Sequence, residues 1–149
     1  MKLSTKGRYG LRAMVDLARY SEDGTPVSIQ SISQREMISE SYLEQLVRKL
    51  RTAGILVSHR GASGGYILAR PADEITVGEV LRALEGNLKA VECVSETAGA
   101  CTHMDLCVTR FVWERVNNAI EEAVDSITIG QLVRESAKQA PKSGSVEGC

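Results

Sequence analysis

Three cysteines and a histidine fall within fifteen residues of one another: Cys93, Cys101, His103 and Cys107, with Asp105 among them. Thiolates are soft ligands that select zinc or iron–sulfur clusters over hard cations, so the segment points to a thiophilic centre. The spacing C-x7-C-x5-C is neither the paired C-x2-C of zinc ribbons nor a ferredoxin run. Read by itself it leaves three possibilities open: a cluster or zinc with a fourth ligand from elsewhere, a thiol redox sensor, or ordinary loop residues. His103 is the nearest candidate for a fourth ligand, with Asp105, His59 or a group from a second subunit as others. Cys149, last in the chain, is read as incidental.

These residues sit in a stretch, 87–106, that shows no sustained hydrophobic period. A loop of this length in a compact domain is usually functional or disordered. The elements around it are easier to read. A helix is expected from Leu11, where Leu11, Met14, Val15, Leu17 and Ala18 recur at helical spacing, to a stop near Asp23-Gly24. Ser28 and Ser39 are cap candidates for two short helices separated by a turn at Glu36-Met37-Ile38. In the second, Leu43, Leu46, Val47 and Leu50 form one apolar stripe ending at Gly54. Two strand candidates, Ile55 to His59 and Tyr66 to Ala69, flank the glycine-rich Arg60-Gly-Ala-Ser-Gly-Gly65. Capping boxes open further helices at Thr76-Val-Gly-Glu79 and Thr128-Ile-Gly-Gln131, and between them a long helix is expected from about Cys107 to Asp125. No internal repeat is evident. The tail from Gln139 is small and polar, and is expected to be disordered.

The fold class is therefore mainly α: a winged helix-turn-helix over residues 1–86, a cysteine loop over 87–106, a long helix and a last helix over 107–138, and a tail over 139–149. In a winged helix the second helix of the turn enters the major groove of DNA, where base edges are read by short polar side chains near its N-terminus. Ser39, Ser41, Tyr42, Glu44 and Gln45 occupy those places, and Arg48, with Lys49 and Arg51, is placed for phosphates. Arg60 precedes a hairpin tip almost without side-chain bulk and is the preferred wing residue. Tyr9, Tyr42 and Tyr66 each also have a packing reading, and of these Tyr42 is the best placed for DNA.

Charge agrees with this division. Residues 1–70 carry eleven Lys or Arg against six Asp or Glu, a net of +5, while residues 71–149 carry seven against thirteen, a net of −6. The whole chain, 149 residues with net charge −1, would hide that asymmetry. No segment has the run of roughly 18 apolar residues that a membrane span needs, so no membrane partner and a cytoplasmic location are expected. With two histidines, one of them in the wing, there is little general acid–base equipment, and a regulator rather than an enzyme is expected.

The blocks MKLSTKGRYGLRAMVDLA, ISESYLEQLVRKLRTAGIL, RGASGGYIL and ITVGEVLRALEG together resemble the iron–sulfur cluster regulator (IscR) family, whose NsrR-, RirA- and CymR-type relatives are bacterial dimeric winged-helix transcription factors. The resemblance spans nearly all of residues 1–135. It implies a homodimer on double-stranded DNA with a pseudo-palindromic operator, and an iron–sulfur cluster on Cys93, Cys101 and Cys107, with 2Fe-2S favoured over 4Fe-4S. A cluster is thereby favoured over zinc, and most cluster-free CymR-type members are set aside. The resemblance also assigns the stripe Val108, Val112, Val116 and Ile120 to the dimer interface, with part of it packing inside its own subunit. Two departures stand out. The IscR subgroup has a histidine as fourth ligand three residues after the last cysteine, where this chain has Arg110, and the first gap between cysteines is longer here. The partner carboxylate that NsrR-type members use is not matched either, since that region reads Lys6-Gly7-Arg8; the fourth ligand stays unassigned, with His103 the nearest candidate.

Overall fold

The computed structural model describes residues 3–94 and 106–139. The first helix, α1 (Thr5–Tyr20), starts six residues before the apolar period would place it. Ser4 caps it, its hydroxyl accepting from the Lys6 N–H at 3.1 Å. The early turn is hard to read because it is built on Gly7 and Gly10, poor helix formers in isolation. They are there for close approach: a Cβ on Gly10 would lie 2.0 Å from Leu84 Cδ1, and one on Gly7 would lie 2.9 Å from Glu85 Oε1. Glu85 closes the contact by accepting from the Ser4 N–H, the Ser4 hydroxyl and the Gly7 N–H at 2.9, 2.6 and 2.8 Å. Partial burial works against the charged form, but these bonds prevail and hold the Glu85 carboxyl below its ordinary range.

Helices α2 (Ile29–Glu36) and α3 (Glu40–Thr52) form the helix-turn-helix, capped by Ser28 and Ser39 as expected. The turn is made by Met37, exposed and left-handed at φ 56°. Two ion pairs pin α2 to α1. Arg35 forks onto Asp16 with both bonds at 2.8 Å while its guanidinium lies 3.9 Å from the centre of the Tyr20 ring. Arg12 bonds the Glu36 carboxylate at 3.1 Å and its backbone carbonyl at 2.6 Å. Asp16 is only 5% exposed, a burial that needs such a partner. The whole stripe Leu43, Leu46, Val47 and Leu50 of α3 is buried against Met14, Leu17 and Ile32.

Strands β1 (Leu56–His59) and β2 (Gly65–Leu68) pair antiparallel as the wing, Leu56 opposite Leu68 and His59 opposite Gly65. Val27 joins them through an isolated bridge to Tyr66, with reciprocal N–H···O bonds of 2.9 and 2.8 Å. Gly65 is required by that bridge, since a Cβ there would lie 2.4 Å from the Val27 carbonyl oxygen.

Past a single 3-10 turn (Ala72–Glu74) come α4 (Val77–Glu85), α5 (Arg110–Asp125) and α6 (Ile129–Lys138). Both capping boxes are formed. They also correct the expectation that the chain has no internal repeat. DEITVGEVLR (73–82) and DSITIGQLVR (125–134) share Asp, Ile, Thr, Gly and Arg at equivalent positions, and the two copies are paired reciprocally. Val77 donates to the Ile127 carbonyl and Ile129 to the Ile75 carbonyl, each at 2.8 Å. Arg82 of the first copy holds Asp125 of the second, and Arg134 of the second holds Asp73 of the first. Each glycine lies beneath the other copy's aspartate, so that a Cβ on Gly78 would be 1.9 Å from Asp125 and one on Gly130 would be 2.1 Å from Asp73. The clamp fastens the C-terminal end of α5 to α4, while Ile129 and Val133 of α6 enter the same core as α1. No helix among the described residues is long and apolar enough to cross a membrane.

Candidate nucleic-acid interface and cysteine site

Because α3 buries its stripe completely, its other face is left to solvent. Ser41, Glu44, Gln45 and Arg48, at i, i+3, i+4 and i+7, are all exposed along it, with Ser39 at its head. Tyr42 takes up the packing reading that the sequence left open for it. It is half-buried, its ring meets Tyr9 edge-to-face at 6.1 Å, and its hydroxyl shares a 2.9 Å hydrogen bond with the Thr5 hydroxyl. Its packing role is thus realised within the chain, where it ties the start of α3 to the start of α1. Lys49, exposed like Arg48 and Arg51, reaches back to the Leu84 carbonyl at 3.5 Å.

In the wing, His59 and Arg60 are exposed at the end of β1 and the chain turns through Gly61 at φ 118°, closed by a 3.0 Å bond from the Gly64 N–H to the Gly61 carbonyl. A cleft of about 390 Å³ separates the wing tip from α2, lined among others by Tyr20, Ser28, Ser31, Arg35 and Ser63. Sequence reasoning took Ser28 as a cap only. Nothing local signals that a residue 35 positions away will face it.

Cys93 and Cys107 are both exposed. Cys101, His103, Asp105 and the tail after Gln139 lie outside the described residues. Cys107 does not begin the long helix, as the sequence suggested. It lies in the turn before it, and α5 starts at Arg110 behind Thr109, whose own side chain makes no cap. The Thr109 hydroxyl instead lies 3.2 Å from Cys107 Sγ. That contact, followed by the Arg110 backbone N–H, draws the Cys107 thiol below its ordinary pKa, as expected for a thiol at a helix N-terminus. Arg110, at the position of the expected histidine, pairs with Glu114 one turn along its own helix.

The stripe assigned to the dimer divides in two. Val108 is 88% exposed and Val112 is exposed too, while Val116 is half-buried. Ile120 belongs to the part that packs inside its own subunit, where with Val124 it lies against Val77, Leu81 and Leu88. Leu106, Phe111 and Trp113, passed over in the sequence because they break the four-residue stripe, are exposed on the same end of the helix, Phe111 at 66%. Also missed was Asn117, the single buried residue of α5. Its carboxamide oxygen accepts from the Ala90 N–H at 2.8 Å and its nitrogen donates to the Val91 carbonyl at 3.4 Å.

Comparison with known proteins agrees with this geometry. Residues 3–135 match the family model Rrf2, described as an iron-dependent transcriptional regulator. The chain is 45% identical over 132 residues to the HTH-type transcriptional regulator CymR of Bacillus subtilis, covering 89% of each chain. It is 42% identical over 133 residues to the HTH-type transcriptional regulator IscR of Cronobacter sakazakii, covering 89% of this chain and 80% of that one. Among solved structures, T. potens IscR superposes with a TM-score of 0.73 at 44% identity, over 95% of this chain and 94% of that one. CymR- and IscR-named proteins are therefore similarly near, and overall identity does not set the CymR type aside. These relatives are named as transcriptional regulators rather than enzymes, and the chain belongs to the Rrf2 family of winged-helix transcriptional regulators.

Proposed function

We propose that the chain is a homodimeric repressor or activator that reads a pseudo-palindromic operator through Ser39, Ser41, Glu44, Gln45 and Arg48 of α3 and Arg60 of the wing, with its affinity set by an iron–sulfur cluster on Cys93, Cys101 and Cys107. The observation that carries the reading is the conjunction of an exposed polar face on a fully anchored α3 with two exposed cysteines at the root and the exit of the loop that leads into α5. Cysteine sulfurs are the soft donors that such a group requires, and Cys93 and Cys107 are both exposed to supply them. When bound, a cluster would supply sensitivity to iron supply or redox state, with 2Fe-2S the favoured form. His103 is the proposed fourth ligand.

The chain's own residues account for the response. Glu44 can accept from a cytosine amino group but is repelled by phosphate, so it selects among operators. The exposed Val108, Phe111 and Val112 supply the dimer contact, and the reciprocal Asp–Arg clamp ties α5 to the DNA-reading core. A change in the loop can alter operator affinity only through contacts that differ between its two states.

Anaerobic purification followed by visible absorbance and assays of iron and acid-labile sulfide tests the cluster. Iron and sulfide together are expected. Zinc in their place would mean a zinc-stabilised regulator, and neither metal would mean a thiol-based one, a reading to which the nearness of CymR lends weight. Cys93→Ala should abolish the absorbance and change operator affinity while leaving the dimer folded.

A further inference from the structure

We propose that Asn117 is a positioning residue that anchors the root of the cysteine loop to α5, so that the state of the loop is transmitted to the helix that forms the dimer. The inference rests on the cluster-sensor reading above and adds to it the element through which sensing is coupled. Asn117 is 4% exposed and, with Asp16, is one of the buried polar side chains among the described residues. Asp16 is matched to a charged side chain, Arg35. Asn117 is matched to backbone alone, the N–H of Ala90 and the carbonyl of Val91, on a segment 26 and 27 residues earlier in the chain.

Burying a carboxamide costs free energy that its hydrogen bonds only offset, and the neighbouring inward positions of α5, Ile120 and Val124, are apolar. An apolar residue at 117 would pack against the same core, so what the asparagine adds is a fixed location for the passing chain. That chain reaches Cys93 two residues beyond Val91, while Cys107 enters α5 from the other end of the loop. Asn117 thereby holds the segment that carries the first cysteine to the helix that follows the last. A group held by both cysteines would be tied to α5 through this anchor as well as through Cys107.

The test uses the full-length protein and its Asn117→Leu and Asn117→Asp variants, the second retaining the acceptor for Ala90 should the first fail to fold. In the cluster-free protein, exchange of the Ala90 amide hydrogen should quicken by about tenfold in Asn117→Leu and much less in Asn117→Asp, with core amides of α1 and α3 unchanged. After anaerobic loading with iron and sulfide, Asn117→Leu should lose iron to a chelator about tenfold faster, and the ratio of operator affinities between loaded and cluster-free protein should collapse toward one. Unchanged Ala90 exchange would overturn the anchor. Faster exchange with an unchanged affinity ratio and unchanged iron release would leave Asn117 a structural residue and overturn the coupling. If the wild type takes up no iron and sulfide, the cluster reading falls on its own account, and the exchange measurement alone decides the anchor.

Discussion

Helices α3 and α5 have similarly strong apolar faces in sequence but end in opposite situations. The stripe of α3 is fully covered by α1, α2 and the rest of the core, so that what it presents outward is polar. The start of α5 and the turn before it are largely uncovered: Val108, Phe111 and Val112 face solvent, Val116 is half-buried, and Asn117 is the one fully buried residue of the helix. A helix completed within the chain can offer its other face to an ordered polar surface such as a duplex. A helix left incomplete needs another protein surface, because a contiguous exposed apolar patch of this kind marks an interaction site. Under the proposed function the molecule separates reading from assembly, with Cys107 just before the second region.

The comparison breaks most sharply in the core of the first region. Leu46→Ala, at a fully buried position, should lower unfolding free energy by about 2–5 kcal/mol in urea titrations followed by circular dichroism. Phe111→Asp, at an equally apolar residue of the second region, should leave monomer stability nearly unchanged yet raise the dimer dissociation constant by about thirtyfold or more in sedimentation experiments. A destabilised monomer in Phe111→Asp, or an unaltered dimer, would collapse the distinction. Arg60→Ala should weaken operator binding and reduce the slope of log affinity against log salt by about one, whereas an unchanged slope would remove the wing from the interface. The smallest effect belongs to Cys107. Its pKa is lowered, so its reactive thiolate persists to lower pH than that of an ordinary thiol near pH ~8.5. In cluster-free protein its alkylation near pH ~7 should therefore slow a few-fold in Thr109→Val, and the difference should vanish above the ordinary thiol range, where both are ionised.

Much of the first region was legible because its determinants are local. Ser28, Ser39, Thr76 and Thr128 cap the helices they were expected to cap, and Gly54 and Gly86 take the positive φ that ends α3 and α4. Where determinants are not local, sequence reading missed them. The start of α1 was hidden because Gly7 and Gly10 serve α4 rather than their own helix. Tyr42 could be read either way because its position in the first turn is exposed in an isolated helix, and only Thr5 and Tyr9 turn it to packing. The repeat at 73–82 and 125–134 was readable in principle from its five shared residues. Its meaning was not, since reciprocity between Arg82 and Asp125 and between Arg134 and Asp73 exists only once the copies meet.

By itself, then, the sequence determined the order and type of the elements, the winged helix-turn-helix and the gathering of Cys93, Cys101 and Cys107 into one stretch, because caps, periodicity and spacing act over a few residues. Tertiary structure decided which half of the α5 stripe stays exposed, that Tyr42 packs against α1, and that Asn117 binds the root of the loop. Each of these depends on a surface or a backbone group supplied from 26 to 43 residues away, a proximity that no local pattern encodes.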